Sequence, residues 1–341
     1  MKLPDDLLDR PAEEAVRRVA LRELERAEAA RAALVAGGDP EALHDFRVAV
    51  RRLRSLLRAF REEAGEPLGK KLRQKLAEIA ADTNPGRDSE VAVTWIERLG
   101  AEPKPSERRG IDWLRERLAH RRDEAYRKVE REIVADFGTL AGRLRERLSR
   151  YRVELRLDGA AVPPVPFRAA LAEQAERHAG ELSAALARVV TVADEREGHR
   201  ARIEAKRLRY LLEPAAPWLD GARRAVARLK ALQDELGELH DLQLLAVEVA
   251  QAVAEAESER ARRVAQAALA GDPEGRRERA EMRRSERPGL LALARRIAVR
   301  RDSIFAAFER RWLGPEAAEA AALAGDLAAL LAALGPRPGT G

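Results

Sequence analysis

Apolar residues along this chain recur at helical spacing, and no long alternating run of Val, Ile and Thr marks a sheet. The clearest case is HDFRVAVRRLRSLLRAF, His44 to Phe60. Phe46, Val50, Leu53, Leu57 and Phe60 share one face and are expected to be buried. At about 100° per residue, His44, Arg47, Arg51, Arg54 and Arg58 fall within an arc of roughly 80° on another face. The result is a helix with a ladder of cations one turn apart, headed by a histidine. A second copy, HRARIEAKRLRYLLEPA, begins at His199. There the ladder is His199, Arg202, Lys206 and Arg209, closed by Glu213.

The breakers divide the rest into further amphipathic helices. Pro11 starts the first helix and Gly37-Gly38 end it. Asp39 is the expected N-cap of the ladder helix, which should close near Gly65-Glu66-Pro67. A third helix is expected from about Leu68 to Ala81, ended by the run Asp82 to Gly86. A fourth should start near Asp88 and end at Gly100. A long helix from about Ser106 towards Tyr151 is expected to be interrupted at Gly138 and Gly142. Residues 152–165, with Gly159 and Pro163-Pro164, read as a linker carrying a short strand at Val153–Leu157.

Beyond the linker the pattern repeats. Pro11 and Pro166 each stand 33 residues before a ladder histidine, and Asp39 and Asp194 each stand five before it as matching N-caps. Lys71 and Lys75 align with Arg224 and Arg228, and Arg87-Asp88 aligns with His240-Asp241, both dipeptides read as helix starts capped by the Asp. Arg117 and Arg121 align with Arg296 and Arg300. The second copy carries an extra charged insertion, about 271–288, expected to be exposed and mobile. The expected fold is all-α: two four-helix bundles of long antiparallel helices, one from residues 1–151 and one from 166–341, related by a pseudo-twofold axis. Such an axis sets the two ladders on a shared cleft.

Composition narrows the function. The net charge is only +6, with 64 Lys and Arg against 58 Asp and Glu, so an anion site must come from segregation of charge rather than bulk charge. There are no cysteines, which excludes disulfides, thiolate metal sites and a Cys nucleophile and fits a cytoplasmic protein. The first residues contain no apolar signal-peptide core. The Ala/Leu-rich stretch from Pro315 to Leu334 carries Glu316, Glu319 and Asp326, and so reads as a packed terminal helix rather than a membrane span.

An Arg-rich helix face is ordinarily just a solvated one. Here the stripe across Arg47, Arg51, Arg54 and Arg58 contains no acid at i+4 to neutralise it, and the stripe recurs. Rows of unpaired cations suit a periodic polyanion, with Arg forks taking two phosphate oxygens and Lys a point charge. A histidine in a first helical turn adds a donor where the helix N-terminus already favours anions. No phosphate-binding glycine loop, dinucleotide turn or zinc-binding HExxH helix is present, and no cofactor is expected. The dipeptides His44-Asp45 and His240-Asp241 lack the further ligands a metal phosphohydrolase needs, since the only other histidines are His120, His178 and His199. Nucleic acid is the rival polyanion. Of the aromatics only Tyr210 lies near a ladder, and neither ladder carries the Asn or Gln that reads base edges. A phosphate-only polymer fits better.

The spacing His-x-x-Arg-x-x-x-Arg-Arg-x-Arg resembles the CHAD family, the conserved histidine α-helical domain. It is carried by His44, Arg47, Arg51, Arg52 and Arg54, and again by His199, Arg202, Lys206, Arg207 and Arg209. Leu232–Asp241 (LQDELGELHD) also fits, whereas Asn84–Asp88 departs from it, which puts a matching role for His240 in the first half in doubt. The likeness spans about residues 7–313. It implies two helical bundles with pseudo-twofold symmetry and a basic central surface that binds inorganic polyphosphate, in the cytoplasm or at polyphosphate granules. The expected ligands are the two ladders with Arg52, Arg207 and His240, joined by the recurring rows Lys71, Lys75, Arg117, Arg121, Arg224, Arg228, Arg296 and Arg300.

Overall fold

The computed structural model describes residues 2–36, 41–150, 164–270 and 275–335. Among them the chain is all-α, with helices α1 (Ala12–Ala36), α2 (Ala42–Ala59), α3 (Arg61–Asp82), α4 (Asn84–Leu99), α5 (Pro105–Lys128) and α6 (Val134–Ser149) before the linker. After it come α7 (Phe167–Leu186), α8 (Glu195–Leu212), α9 (Asp220–Leu269), α10 (Arg276–Arg283), α11 (Arg287–Trp312) and α12 (Ala318–Leu334). Gly37-Gly38, Asp39 and the possible strand at Val153–Leu157 lie outside the described residues. No described helix is long and apolar enough to cross a membrane.

The ladder helix buries the face its pattern assigns to the core. Phe46, Leu53 and Phe60 are fully buried, and Val50 and Leu57 nearly so. Phe46 meets the edge of Phe137 on α6 at 4.9 Å between ring centres, and Phe60 meets Phe167 on α7 at 5.4 Å. Replacing Phe46 by Ala would cost about 3–5 kcal/mol and loosen this contact first.

The buried residues form two clusters, and each draws on both sides of the linker. The larger joins α1, α2, α3 and α6 with α7, α8, the first half of α9 and α12. The smaller joins α4 and α5 with the second half of α9 and α11. Corresponding residues of the two halves also meet one another. Pro11 and Pro166 form an antiparallel bridge in which Ala12 N–H donates to Val165 C=O (2.9 Å) and Phe167 N–H to Arg10 C=O (2.8 Å). Gly110 on α5 and Gly289 on α11, equivalent under the Arg117/Arg296 alignment, cross backbone to backbone. A Cβ on Gly289 would stand 2.1 Å from the Glu107 carbonyl oxygen, so only glycine lets the helices approach this closely.

Several boundaries differ from expectation. The ladder helix stops at Ala59, and α3 runs through the Gly65–Pro67 region with its kink at Gly69 (φ 63°), a conformation suited to glycine. The break before α6 is a π turn at Val129–Ile133, not Gly138 or Gly142. An extra residue per turn rotates the buried face, here from the smaller core under Leu118 to the larger under Phe137. His240-Asp241 is not a helix start, because α9 runs unbroken for 50 residues. In the first half Pro85 ends α3 and opens α4, while the second half has no proline there and continues. Neither Asp88 nor Asp241 therefore caps a helix. Asp194 does precede α8, but its carboxylate turns back to accept from Val190 N–H (2.9 Å) and Thr191 N–H (2.7 Å). In the insertion, α10 has no buried residue and is tied to α9 by the Arg263–Glu281 pair at 3.2 Å.

Candidate functional site

The two ladder helices pack against each other, and their cation faces line one cleft of about 1340 Å³. His44, Arg47, Arg51, Arg54 and Arg58 come from α2, and His199, Arg202, Lys206 and Arg209 from α8. Arg52, Arg207 and His240 line it too. Thirteen Lys and Arg and six Asp and Glu line this cleft, an excess of seven against six for the whole chain. The rest of the protein is thus close to neutral, and its positive charge is gathered here.

The crowding shows in the ionisation of the cations. Burial and the charges of Arg202, Arg51, Arg54 and Arg207 bring the Lys206 ammonium down to about 7. Burial and Arg51 lower Arg47 to about 10, so it stays charged at neutral pH. Burial also lowers Arg202, and Arg51 adds to that while Asp241 opposes it. Burial, Arg202 and His199 hold His240 at about 4. Burial, Arg202 and Lys206 lower His199, whose ring lies 4.7 Å from that of His240. Both histidines are therefore neutral near pH 7 in the free protein. An NH₂ group of Arg47 and the Nε of Arg51 are buried with no hydrogen-bond partner among the described residues.

Not all of the cleft is unpaired. Glu213 holds Arg52 across the helix interface (2.7 Å) and Arg209 on its own helix (3.4 Å). Arg207 pairs with Glu204. Asp88 and Asp241 sit by Arg47, Arg87 and Arg202, both raised by burial, and Asp241 further by the Asp88 charge. The repeat had already matched these two carboxylates. What the sequence lacked was the position where α3/α4 and α9 each pass from the larger core to the smaller, which turns Asp88 and Asp241 into the cleft.

The remaining candidates lie elsewhere. Lys71 is exposed on α3 and Lys75 pairs with Asp136 (3.0 Å). Arg117 pairs with Glu255 and Arg121 with Glu248. Arg224 and Arg228 share the buried Asp326, at 2.6 and 2.9 Å, and Arg228 also takes Glu319. Arg296 binds Glu107 (2.6 Å) and the Leu99 carbonyl (2.8 Å), and Arg300 faces Glu238 (3.6 Å). In each of these pairs the acid comes from a different helix, which i+4 spacing along one helix cannot reveal.

At one edge of the cleft His178, Glu181 and Glu204 bring ligand atoms within 4.8 Å of one another. The His178 Nδ1 lies 3.1 Å from Glu204 and 3.3 Å from Glu181, while its Nε2 faces an Arg177 nitrogen at 3.3 Å. Arginine can only donate, so Nε2 accepts and the proton sits on Nδ1, the atom a metal would need. The cluster is a satisfied hydrogen-bond network.

The fold defines an all-α class of protein that gathers its formal net charge into one arginine-lined cleft. Residues 18–250 match the family model of the CHAD domain, and the chain belongs to that family. Two solved structures share the fold. The CHAD domain from the plant Ricinus communis is 24% identical, with a TM-score of 0.58 over 89% of this chain and 93% of that one. PptA from Streptomyces chartreusis is 15% identical, with a TM-score of 0.62 over 89% of this chain and all of that one. No curated protein matches in sequence.

Proposed function

We propose that this protein binds inorganic polyphosphate, without cleaving it, in the cleft between α2 and α8. The observation that carries this reading is the excess of seven positive charges in a cleft whose acids satisfy only part of its arginines. A chain of phosphates supplies evenly spaced oxygens to both ladders at once, and displaces its counterions as it binds. Membership of the CHAD family supports the same ligand. The two sequence halves, 1–151 and 166–341, each supply one wall, and the reciprocal contacts at Pro11/Pro166 and Gly110/Gly289 favour a pseudo-twofold relation between them. The working compartment is the cytoplasm, where polyphosphate granules would recruit the protein.

Nucleic acid fits less well. Base stacking needs an accessible ring, and Tyr210, the one Phe, Tyr or Trp lining the cleft among the described residues, is only 4% exposed. The test is equilibrium binding of long-chain polyphosphate at rising salt, with RNA and DNA as competitors at equal phosphate concentration. Affinity should fall steeply with salt, and neither nucleic acid should displace the polymer. Salt-insensitive binding, or displacement by RNA, would overturn the reading. Incubation with Mg²⁺ or Mn²⁺ should release no phosphate.

A further inference from the structure

Tyr210 presents a donor that the protein itself leaves unused. Its side chain lines the cleft, yet its Oη is buried and has no hydrogen-bond partner among the described residues. Three guanidinium groups surround the ring, with Arg209 4.8 Å, Arg51 5.6 Å and Arg52 5.8 Å from its centre. Glu213 engages Arg52 and Arg209. Among the described residues Arg51 has no such acid, and its Nε is also buried without an acceptor. Two unsatisfied donors, one neutral and one charged, thus belong to side chains in contact where α2 and α8 pack, with the Arg51 guanidinium over the Tyr210 ring. A buried polar group without a partner is costly, and an arriving acceptor relieves that cost.

The feature exists on one wall only. Under the His44/His199 register, Ser55 stands where Tyr210 does, and Arg58 where Glu213 does. The α2 wall has neither the phenol nor the acid that ties down two arginines. The two walls are therefore chemically unequal at equivalent positions, although the ladders that precede them match.

We propose that Tyr210 is a phosphate ligand whose hydroxyl, together with Arg51 Nε, takes one phosphoryl group of the bound chain and fixes its position at the crossing of α2 and α8. This rests on the polyphosphate reading and adds a neutral hydrogen bond to it. Phosphoryl oxygens are acceptors, so the phenol donates. A neutral donor releases no counterion, and its contribution is independent of salt.

The test is Tyr210→Phe, which keeps the ring and every cation. Long-chain polyphosphate is titrated at several salt concentrations, and the melting temperature is measured without ligand. Affinity is expected to fall roughly tenfold at every salt, the usual scale for a hydrogen bond to a charged group. The slope of log K against log salt should be unchanged. The ligand-free melting temperature should hold or rise, because Phe leaves no unpaired hydroxyl. Ser55→Ala, at the equivalent position, should change affinity by less than about twofold. Wild-type affinity in Tyr210→Phe would overturn the assignment, as would a loss of affinity accompanied by a lower melting temperature, which marks a hydroxyl that supports the helix. An equal loss in Ser55→Ala would overturn the one-walled seat. If the unmodified protein fails to bind polyphosphate, the functional reading falls and this ligand with it. If it binds and Tyr210→Phe binds equally, only this assignment falls.

Discussion

The cleft and the outer surface use the same residue types at the same helical spacing, yet they end in opposite states. On the outer surface, Arg117 and Arg121 meet acids on α9, while Arg224 and Arg228 meet acids on α12. In the cleft, Arg51 and Lys206 form no ion pair among the described residues, and Lys206 is pushed towards neutrality by burial and by the cations around it. A row of arginines therefore keeps an excess of positive charge only where tertiary packing brings too few acids to it. The property belongs to the fold, not to any single helix.

The largest expected effect follows from breaking that contrast. Arg51→Glu with Lys206→Glu should weaken polyphosphate binding by roughly 100-fold or more, since it removes two charged contacts and adds repulsion. Arg117→Glu with Arg121→Glu makes the same change in charge on the outer surface, and titration should show affinity within about threefold of wild type. Equal losses in the two variants would mean that net charge alone drives binding.

The next effect is in pH. Lys206 titrates near 7 in the free protein, and a bound polyanion stabilises its ammonium and raises that value. Binding therefore takes up a proton above pH 7, and affinity should fall several-fold from about pH 7 to 9. Lys206→Arg should flatten that part of the profile. Stability moves the other way. The folded pKa lies below the unfolded value near 10.5, so the unfolded chain binds more protons between about 7 and 10.5, and this group's contribution to stability rises with pH across that window.

A smaller effect tests the partly paired edge of the cleft. Glu213→Gln releases Arg52 and Arg209, and against its burial Arg52 is raised chiefly by Glu213. The variant should bind polyphosphate about three- to tenfold more tightly at low salt and show a steeper salt dependence. Unchanged affinity and slope would show that these two arginines do not reach the ligand.

Helical class and buried ladder face were both readable in the sequence, because a period of 3.6 residues writes itself directly into residue order. The ladders, with Arg52, Arg207 and His240, do come together at one cleft. The unread part depends on contacts between helices. The acids at Glu248, Glu255 and Asp326 lie far in sequence from the arginines they neutralise. Asp88 and Asp241 read as caps because a helix start was expected at each, and α9 continues through the second. The mixing of both halves in the smaller core goes with the close approach of Gly110 and Gly289, and no local pattern announces such a crossing.

The most direct measurement is a crystal structure of the protein with bound tripolyphosphate. The phosphorus atoms are expected between α2 and α8, with oxygens in hydrogen-bond reach of Arg51, Lys206 and Tyr210. Phosphates seated instead along the α5/α9 surface, beside Arg117 and Arg121, would contradict the assignment of the cleft.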